Sequence, residues 1–412
     1  MEGQNLNKVK ILILGAGPSG LVLGRCLHDR GEKDFLILEK EKEAGGLCRS
    51  LTVDGAPFDI GGGHFLDAKN RPVCDLLFRF LPEEEWNLYE RDSRIRIHGM
   101  EISHPLEANL YQLPETIRNE YLESIRIAGC NTGEKMPERF TEWIRWKLGD
   151  RIAEDYMLPY NRKLFADTLN DLGTYWLHKL PNVSYEETLR SVREHQSYGT
   201  QPGHARFYYP KKYGYGEVFR RIAESIDNKV RYDSSVIFMD AGERLVRCAD
   251  GSEYRADLIV TTIPWNSFET VGLSPDVKEG IKKLRSSSIE TRYVQKSAGS
   301  KAHWLYIPDE TLPYHRILCR ENFAPGSRGY WVETRAERCG SYRDEEGGFA
   351  YMNEYAYPLN TIGKPMIMER LLKEAGKRKI LGIGRWGKHS HDNSDTVMEA
   401  AMKLAVELMG NI

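Results

Sequence analysis

A chain of 412 residues, 41% of them hydrophobic, is long enough to bury two or three separate cores. Its formal charge of −2 argues against nucleic acid or an anionic membrane as a partner, and its seven scattered cysteines lack the spacing of a zinc site or disulfide frame. No apolar run of about 18 residues is present to cross a bilayer, and the polar start from Met1 to Lys10 lacks the apolar core of a signal peptide. The expectation is a cytoplasmic protein with reduced thiols, no metal and no membrane span; a homo-oligomer is left open.

In chain order, Val9 to Leu14 is an apolar run of strand length that stops at Gly15-Ala16-Gly17-Pro18-Ser19-Gly20. From Leu21 to Asp29 apolar residues recur at helical spacing, and Gly31 stands where a helix end favours positive φ. Asp34 to Leu38 reads as a second buried strand, closed by Glu39 and Lys40. Gly-x-Gly-x-x-Gly between a strand and a helix is a dinucleotide-binding pattern. Gly15 allows the tight turn, and Gly17, with Pro18 and Ser19 beside it, lets a pyrophosphate reach the backbone. Gly20 lets helix and strand approach, and the helix start offers free N–H groups to phosphate. Glu39 follows Gly20 by nineteen residues, where an acid accepts hydrogen bonds from a ribose.

Gly45-Gly46-Leu47-Cys48-Arg49 and Phe58-Asp59-Ile60-Gly61-Gly62-Gly63-His64 come next. Paired glycines let backbone pass against a planar ligand or a pyrophosphate. Arg49 is placed to pair with a phosphate or cap a ring edge, and Gly63 delivers the His64 imidazole to the same cavity. The plainer alternative is two hairpin turns with His64 a buried, satisfied histidine.

These motifs in this order resemble the FAD-binding half of the amine oxidase and protoporphyrinogen oxidase superfamily, and the Gly-Gly-His ending looks most like the UDP-galactopyranose mutases. The resemblance implies FAD rather than NAD, with His64 beside the isoalloxazine. It also implies an α/β fold: a Rossmann-like FAD-binding domain from residues 1–65, 226–265 and 375–412, a mainly helical insert at 66–225, and an antiparallel substrate sheet at 266–374.

Within the insert, Val73 to Leu81, Leu113 to Ile127 and Phe140 to Leu158 carry helical apolar spacing. Tyr160-Asn161-Arg162-Lys163-Leu164-Phe165 is similar to the mutases' Tyr-x-x-Lys-x-Trp motif, which implies that Tyr160, Lys163 and Phe165 line a nucleotide pocket. Phe165 keeps the ring packing but lacks the indole N–H donor. Phe207 to Gly216 resembles the segment that returns the chain to the flavin domain, and it contributes Tyr209 to the substrate set. Val230 to Met239 reads as a strand, and the resemblance places Val236 beside adenine. Ala256 to Ile263 reads as a buried strand closed by Pro264.

Residues 290–360 alternate as an antiparallel sheet does. An arginine fork on a rigid strand suits bidentate phosphate contact, and Arg316 occupies the segment where the mutases grip the UDP diphosphate; Tyr357 is carried over as a diphosphate-contacting tyrosine. Gly384-Arg385 precedes a helix from Asp395 to Met409 for which Ser394 or Asp395 is a natural N-cap. This Gly-Arg turn resembles the superfamily's second FAD signature, whose helix start faces the negative charge of a reduced flavin. Where the mutases carry a tyrosine and an aspartate, this chain has His391 and Asn393.

The resemblance implies a nucleotide-sugar mutase that interconverts pyranose and furanose rings through an adduct on N5 of reduced FAD, with NADH or NADPH as electron donor. His64, Arg316, Tyr357 and His391 are its catalytic candidates; Gly384, Arg385, Asn393 and Ser394 join the cofactor set. Two alternatives stay open: a flavin oxidoreductase acting on an amine or ring system, and a binding protein that keeps the fold without turnover, as the GDP-dissociation inhibitors do.

Overall fold

The computed structural model describes residues 6–200, 203–226, 228–341 and 348–410. Strand β1 (Leu6–Leu14) is exposed at its start and fully buried from Ile11 onward. It lies inside an eight-stranded sheet, parallel to β2 (Phe35–Leu38) on one side and to Glu253–Thr261 on the other. A strand buried on both flanks must be apolar throughout, and Ile11 to Leu14 meets that demand. Between β1 and β2 runs helix α1 (Pro18–Asp29). Proline stands at its first position, where no N–H is missed, and Gly31 turns the chain out at φ 87°. The last helix, Ser394–Gly410, packs on α1.

The strand predicted from Val230 to Met239 is two strands. Val230–Arg231 pairs with β2, whereas Val236–Asp240 lies toward the opposite end of the sheet, paired with Leu245–Cys248 and Glu269–Val271. Asp233, at φ 52°, breaks the run, and the backbone N–H of Ser234 donates to Glu39 O at 2.8 Å. Glu269–Val271 also extends this first sheet beyond residue 265.

A second sheet of seven strands runs in the order Ala350–Pro358, Ser286–Val294, Tyr330–Arg335, Arg316–Leu318, Trp304–Tyr306, Ser93–Ile97, Met100–Ser103. Its last two strands come from the segment expected to be mainly helical. Their turn, His98-Gly99, has both residues at positive φ (52° and 72°), the hairpin geometry that matches strand twist. The alternation Ile95-Arg96-Ile97 carries the same signal in the sequence, but over too few residues to outweigh its helical surroundings.

Helices cover one face of this sheet. Phe140 and Ile144 pack on Ile289 and Ala356, while Tyr121 and Ile125 pack on Ile95 and Ile102. The helix expected from Phe140 to Leu158 is interrupted at Gly149 (φ 73°), where a Cβ would stand 2.3 Å from Ser124 O. A π-helical turn, Ala153–Met157, then leads into Leu158–Phe165. All seven cysteines are free, and among the described residues no helix is long and apolar enough to cross a membrane.

Candidate active site

A cavity of about 470 Å³ opens where β1 and β2 end. Gly15, Gly17, Pro18, Ser19, Glu39, Lys40, Gly46, Leu47 and Arg49 wall one side; Val236, Thr262, His64, Arg385 and Ser394 close it. The ends of parallel strands are where such folds take ligands. Its glycines have different duties. Gly15 (φ 100°) and Gly46 (φ 54°) adopt backbone that other residues rarely hold. Gly20 is a packing residue, since a Cβ would meet Gly15 O at 2.0 Å, and Gly384 (φ 72°) rests on Ser19; neither lines the cavity. Gly17 needs glycine for no internal reason. Its φ is −75°, and an added Cβ would meet nothing nearer than Gly46 Cα at 3.9 Å. What a Cβ there would occupy is the space in front of the α1 N-terminus, which has no side-chain cap and leaves first-turn N–H groups free for an anion.

Glu39 is buried, and its two oxygens accept the backbone N–H groups of Ala16 (2.7 Å) and Glu41 (3.0 Å). Burial raises its pKa against those bonds, and a carboxylate retains further lone pairs for hydroxyl groups. Arg49 braces the paired-glycine turn: it donates to Gly46 O (3.2 Å) and Tyr351 Oη (2.8 Å) and pairs with Glu41 (3.2 Å). Arg385 donates to the carbonyls of Asp392 (3.0 and 3.2 Å) and Ala356 (3.2 Å). His64 lines this cavity with an Nδ1 that has no hydrogen-bond partner. Burial, then the nearby Arg385 guanidinium, pushes its pKa down to about 3, so its ring is neutral at physiological pH. Close-approach glycine, uncapped helix start, buried acid and orphaned imidazole together fit a flavin dinucleotide.

A second cavity, about 730 Å³, adjoins the first, with Asp392 lining both. Tyr160, Phe165, Arg316, Tyr357 and His391 meet here, and Gly63 and Asn393, expected on the cofactor, line this side instead. The Tyr357 and His391 rings are 4.6 Å apart. Arg316 is not an open fork. It forms a bidentate pair with Glu333 (both bonds 2.8 Å) and reaches Tyr357 Oη at 3.4 Å. Glu333 is 1% exposed and also accepts from the Gly63 N–H (3.3 Å), with His315 at 3.4 Å. Burial alone would raise Glu333; Arg316 and His315 outweigh it and hold the carboxyl down at about 2.

Two expected substrate residues are elsewhere. Lys163 is fully buried and donates to the carbonyls of Ile307 and Tyr314, both at 2.9 Å. On its helix Tyr160, Asn161, Leu164 and Phe165 form the cavity face, and Lys163 falls on the other side. Tyr209 points into the core from the strand Arg206–Pro210 and donates to Asp59 Oδ2 at 2.9 Å. Conversely, Glu333 and Arg91 escape a reading of the sequence. A lone acid inside Tyr330-Trp331-Val332-Glu333 is a signal of a buried pair; Arg91, within Glu90-Arg91-Asp92, looks like a solvated loop charge.

The family described as flavin containing amine oxidoreductase matches residues 18–295. The chain is similar to UDP-galactopyranose mutase of Mycoplasma pneumoniae, 36% identical over 88 residues, which are 21% of each chain. It is also similar to human lysine-specific histone demethylase 2, 22% identical over 296 residues, 70% of this chain and 34% of that one. These alignments thus span only 34% and 21% of the relatives' own lengths. A crystal structure of reduced UDP-galactopyranose mutase shares the fold, with a TM-score of 0.87 at 23% identity, covering 98% of this chain and 96% of the other.

Proposed function

Because the chain belongs to the flavin containing amine oxidoreductase family, we propose that its first cavity holds FAD and that it interconverts the pyranose and furanose rings of a nucleotide sugar in the second. Gly17 and Gly46 would receive the pyrophosphate, Glu39 the ribose, Val236 the adenine end, and His64 and Arg385 the isoalloxazine end. When bound, FAD supplies the covalent chemistry, in a reduced form maintained by NADH or NADPH.

The observation that carries this reading is the charge of the second cavity. Arg91, Arg316 and Lys179 line it. Of its carboxyls, Asp392 is already paired with Lys179 at 2.6 Å, and burial raises Glu107 toward its neutral form. With Arg316 paired to Glu333 as well, the charge left over is that of Arg91, which repels an ammonium substrate and draws a diphosphate. Tyr160, Tyr306 and Tyr357 offer hydroxyls for a sugar, and Phe165 and Trp304 help keep water out. Neutral His64 and His391 donate or accept one proton each without adding charge.

One observation favours an oxidoreductase acting on an amine or ring system: the aromatic density of the same wall, which would stack a planar substrate. A single experiment separates the two. Reduced anaerobically with dithionite, the flavoprotein is expected to change its spectrum on addition of UDP-galactopyranose and to produce the furanose isomer, seen by chromatography. Indifference to UDP-sugars together with peroxide release from an amine would give the second reading the field.

A further inference from the structure

Two arginines and one lysine line the second cavity, and two of these three are already compensated: Arg316 by its two 2.8 Å bonds to Glu333 and Lys179 by Asp392 at 2.6 Å. Arg91 is not. It stands in the two-residue link between the strands Trp86–Glu90 and Ser93–Ile97, and no carboxylate lies within ion-pair distance of it among the described residues. Its guanidinium donates only to neutral acceptors: Ser93 Oγ (2.9 Å), Gly203 O (2.5 Å) and Tyr306 Oη (3.1 Å). It also lies over Trp304, with Cζ 4.7 Å from the ring centroid.

Those three bonds use three of the five guanidinium N–H groups, one on each nitrogen, and leave two for a ligand. Burial opposes the charge, yet a guanidinium remains protonated in proteins. Arg91 is half-buried, and a partly desolvated cation without a counter-charge draws an anion to answer it. Glu107 lines the same cavity but forms no ion pair with Arg91. The stacking on Trp304 and the bond to Gly203 O hold the fork rigid, as bidentate recognition of phosphate requires. Arg316 has the opposite character, because its carboxylate partner cancels its charge before any ligand arrives.

Resting on the nucleotide-sugar reading, we propose that Arg91 is the specificity-determining residue that receives the substrate's diphosphate, while Arg316, neutralised by Glu333, positions the tyrosine beside it. The test titrates the FAD-loaded protein with UDP, and separately with inorganic pyrophosphate, following the flavin absorbance and bound ligand by calorimetry. Arg91→Met is expected to weaken UDP binding about 30-fold or more, the loss of two charge-assisted bonds, with FAD content unchanged. Removing the compensated pair as a unit, Arg316→Met with Glu333→Leu, is expected to weaken it less than about fivefold. If Arg91→Met does not retain FAD, Arg91→Lys replaces it: charge without a fork, with an expected loss of about tenfold.

UDP affinity within twofold of wild type in the Arg91 variant that retains FAD would overturn the inference and leave the nucleotide-sugar reading standing. A wild type indifferent to UDP but binding pyrophosphate through Arg91 would sink that reading and keep the anion site. A wild type that binds neither anion would overturn the inference itself.

Discussion

The two cavities meet at Asp392 yet are built by different means. The first presents mostly backbone: the α1 N-terminus, glycines at close approach, and a buried glutamate held by two N–H groups. The second presents side chains whose charges have first been settled among themselves, Arg316 against Glu333 and Lys179 against Asp392. A backbone site works as soon as the chain turns correctly. A side-chain site works only after its ion pairs are chosen, and its residual charge is whatever those pairs leave over. Glu333 joins the two, accepting from Gly63 on the loop that carries His64 while holding Arg316.

The sharpest way to break the contrast is at the glycines. Gly20→Ala puts a Cβ 2.0 Å from Gly15 O and is expected to lose both fold and flavin. Gly17→Ala meets nothing within 3.9 Å, so the apoprotein should melt as wild type does. Its FAD affinity should nonetheless fall about 100-fold, the upper end of what overpacking against a ligand costs. Flavin content per chain and apoprotein thermal unfolding measure both; parallel loss of stability in Gly17→Ala would mean that its glycine serves packing after all.

Next in size is Glu333→Gln, which leaves a mostly covered Arg316 with half a partner and should cost about 3 kcal/mol by urea unfolding at pH 7. Its pH dependence has a definite sign. The folded carboxyl sits near 2 and the unfolded one near its usual 4.5. The stabilisation is therefore complete above the unfolded value and is lost as pH falls toward the folded one. Glu333→Gln should flatten the wild-type curve in that window; an unchanged slope would contradict the pairing.

A smaller effect is expected at the fully buried Asp59. Burial pushes its carboxyl up to about 7, against hydrogen bonds from Ser50, Tyr209 and the Tyr215 N–H. The folded value lies above the unfolded value of 3.8, so this group's stabilisation is present below the unfolded value and declines as pH rises through the window to about 7. Asp59→Asn should remove that decline and stabilise the protein by about 1–2 kcal/mol at pH 8, a conservative fraction of the shift. Loss of stability at pH 8 would show that the charged form is the one the fold needs. Lys179→Met should do least, under about 1 kcal/mol, because its pair with Asp392 is partly solvated.

How much of this was readable in the chain varies by residue. Gly15, Gly17 and Glu39 are placed by one turn and two short strands, and all three reach the cavity they were expected to wall. The helices at 71–78 and 115–126 follow from apolar spacing, but the breaks at Gly149 and Asp233 do not, since each depends on what packs against it. Lys163 illustrates the limit. Its motif indicates a helix correctly, yet which helical face meets the cavity is decided by the carbonyls of Ile307 and Tyr314, far along the chain.

The order of residues alone determined the dinucleotide turn, its helix and the acid that follows, because steric limits on φ and ψ act within a few neighbours. Only the folded chain decided which charges remain. Arg316 finds Glu333 on an adjacent strand, Lys163 finds two carbonyls, and Arg91 finds no carboxylate. The pairing of these charges is set by distant segments that packing brings together, and no local rule along the sequence encodes it.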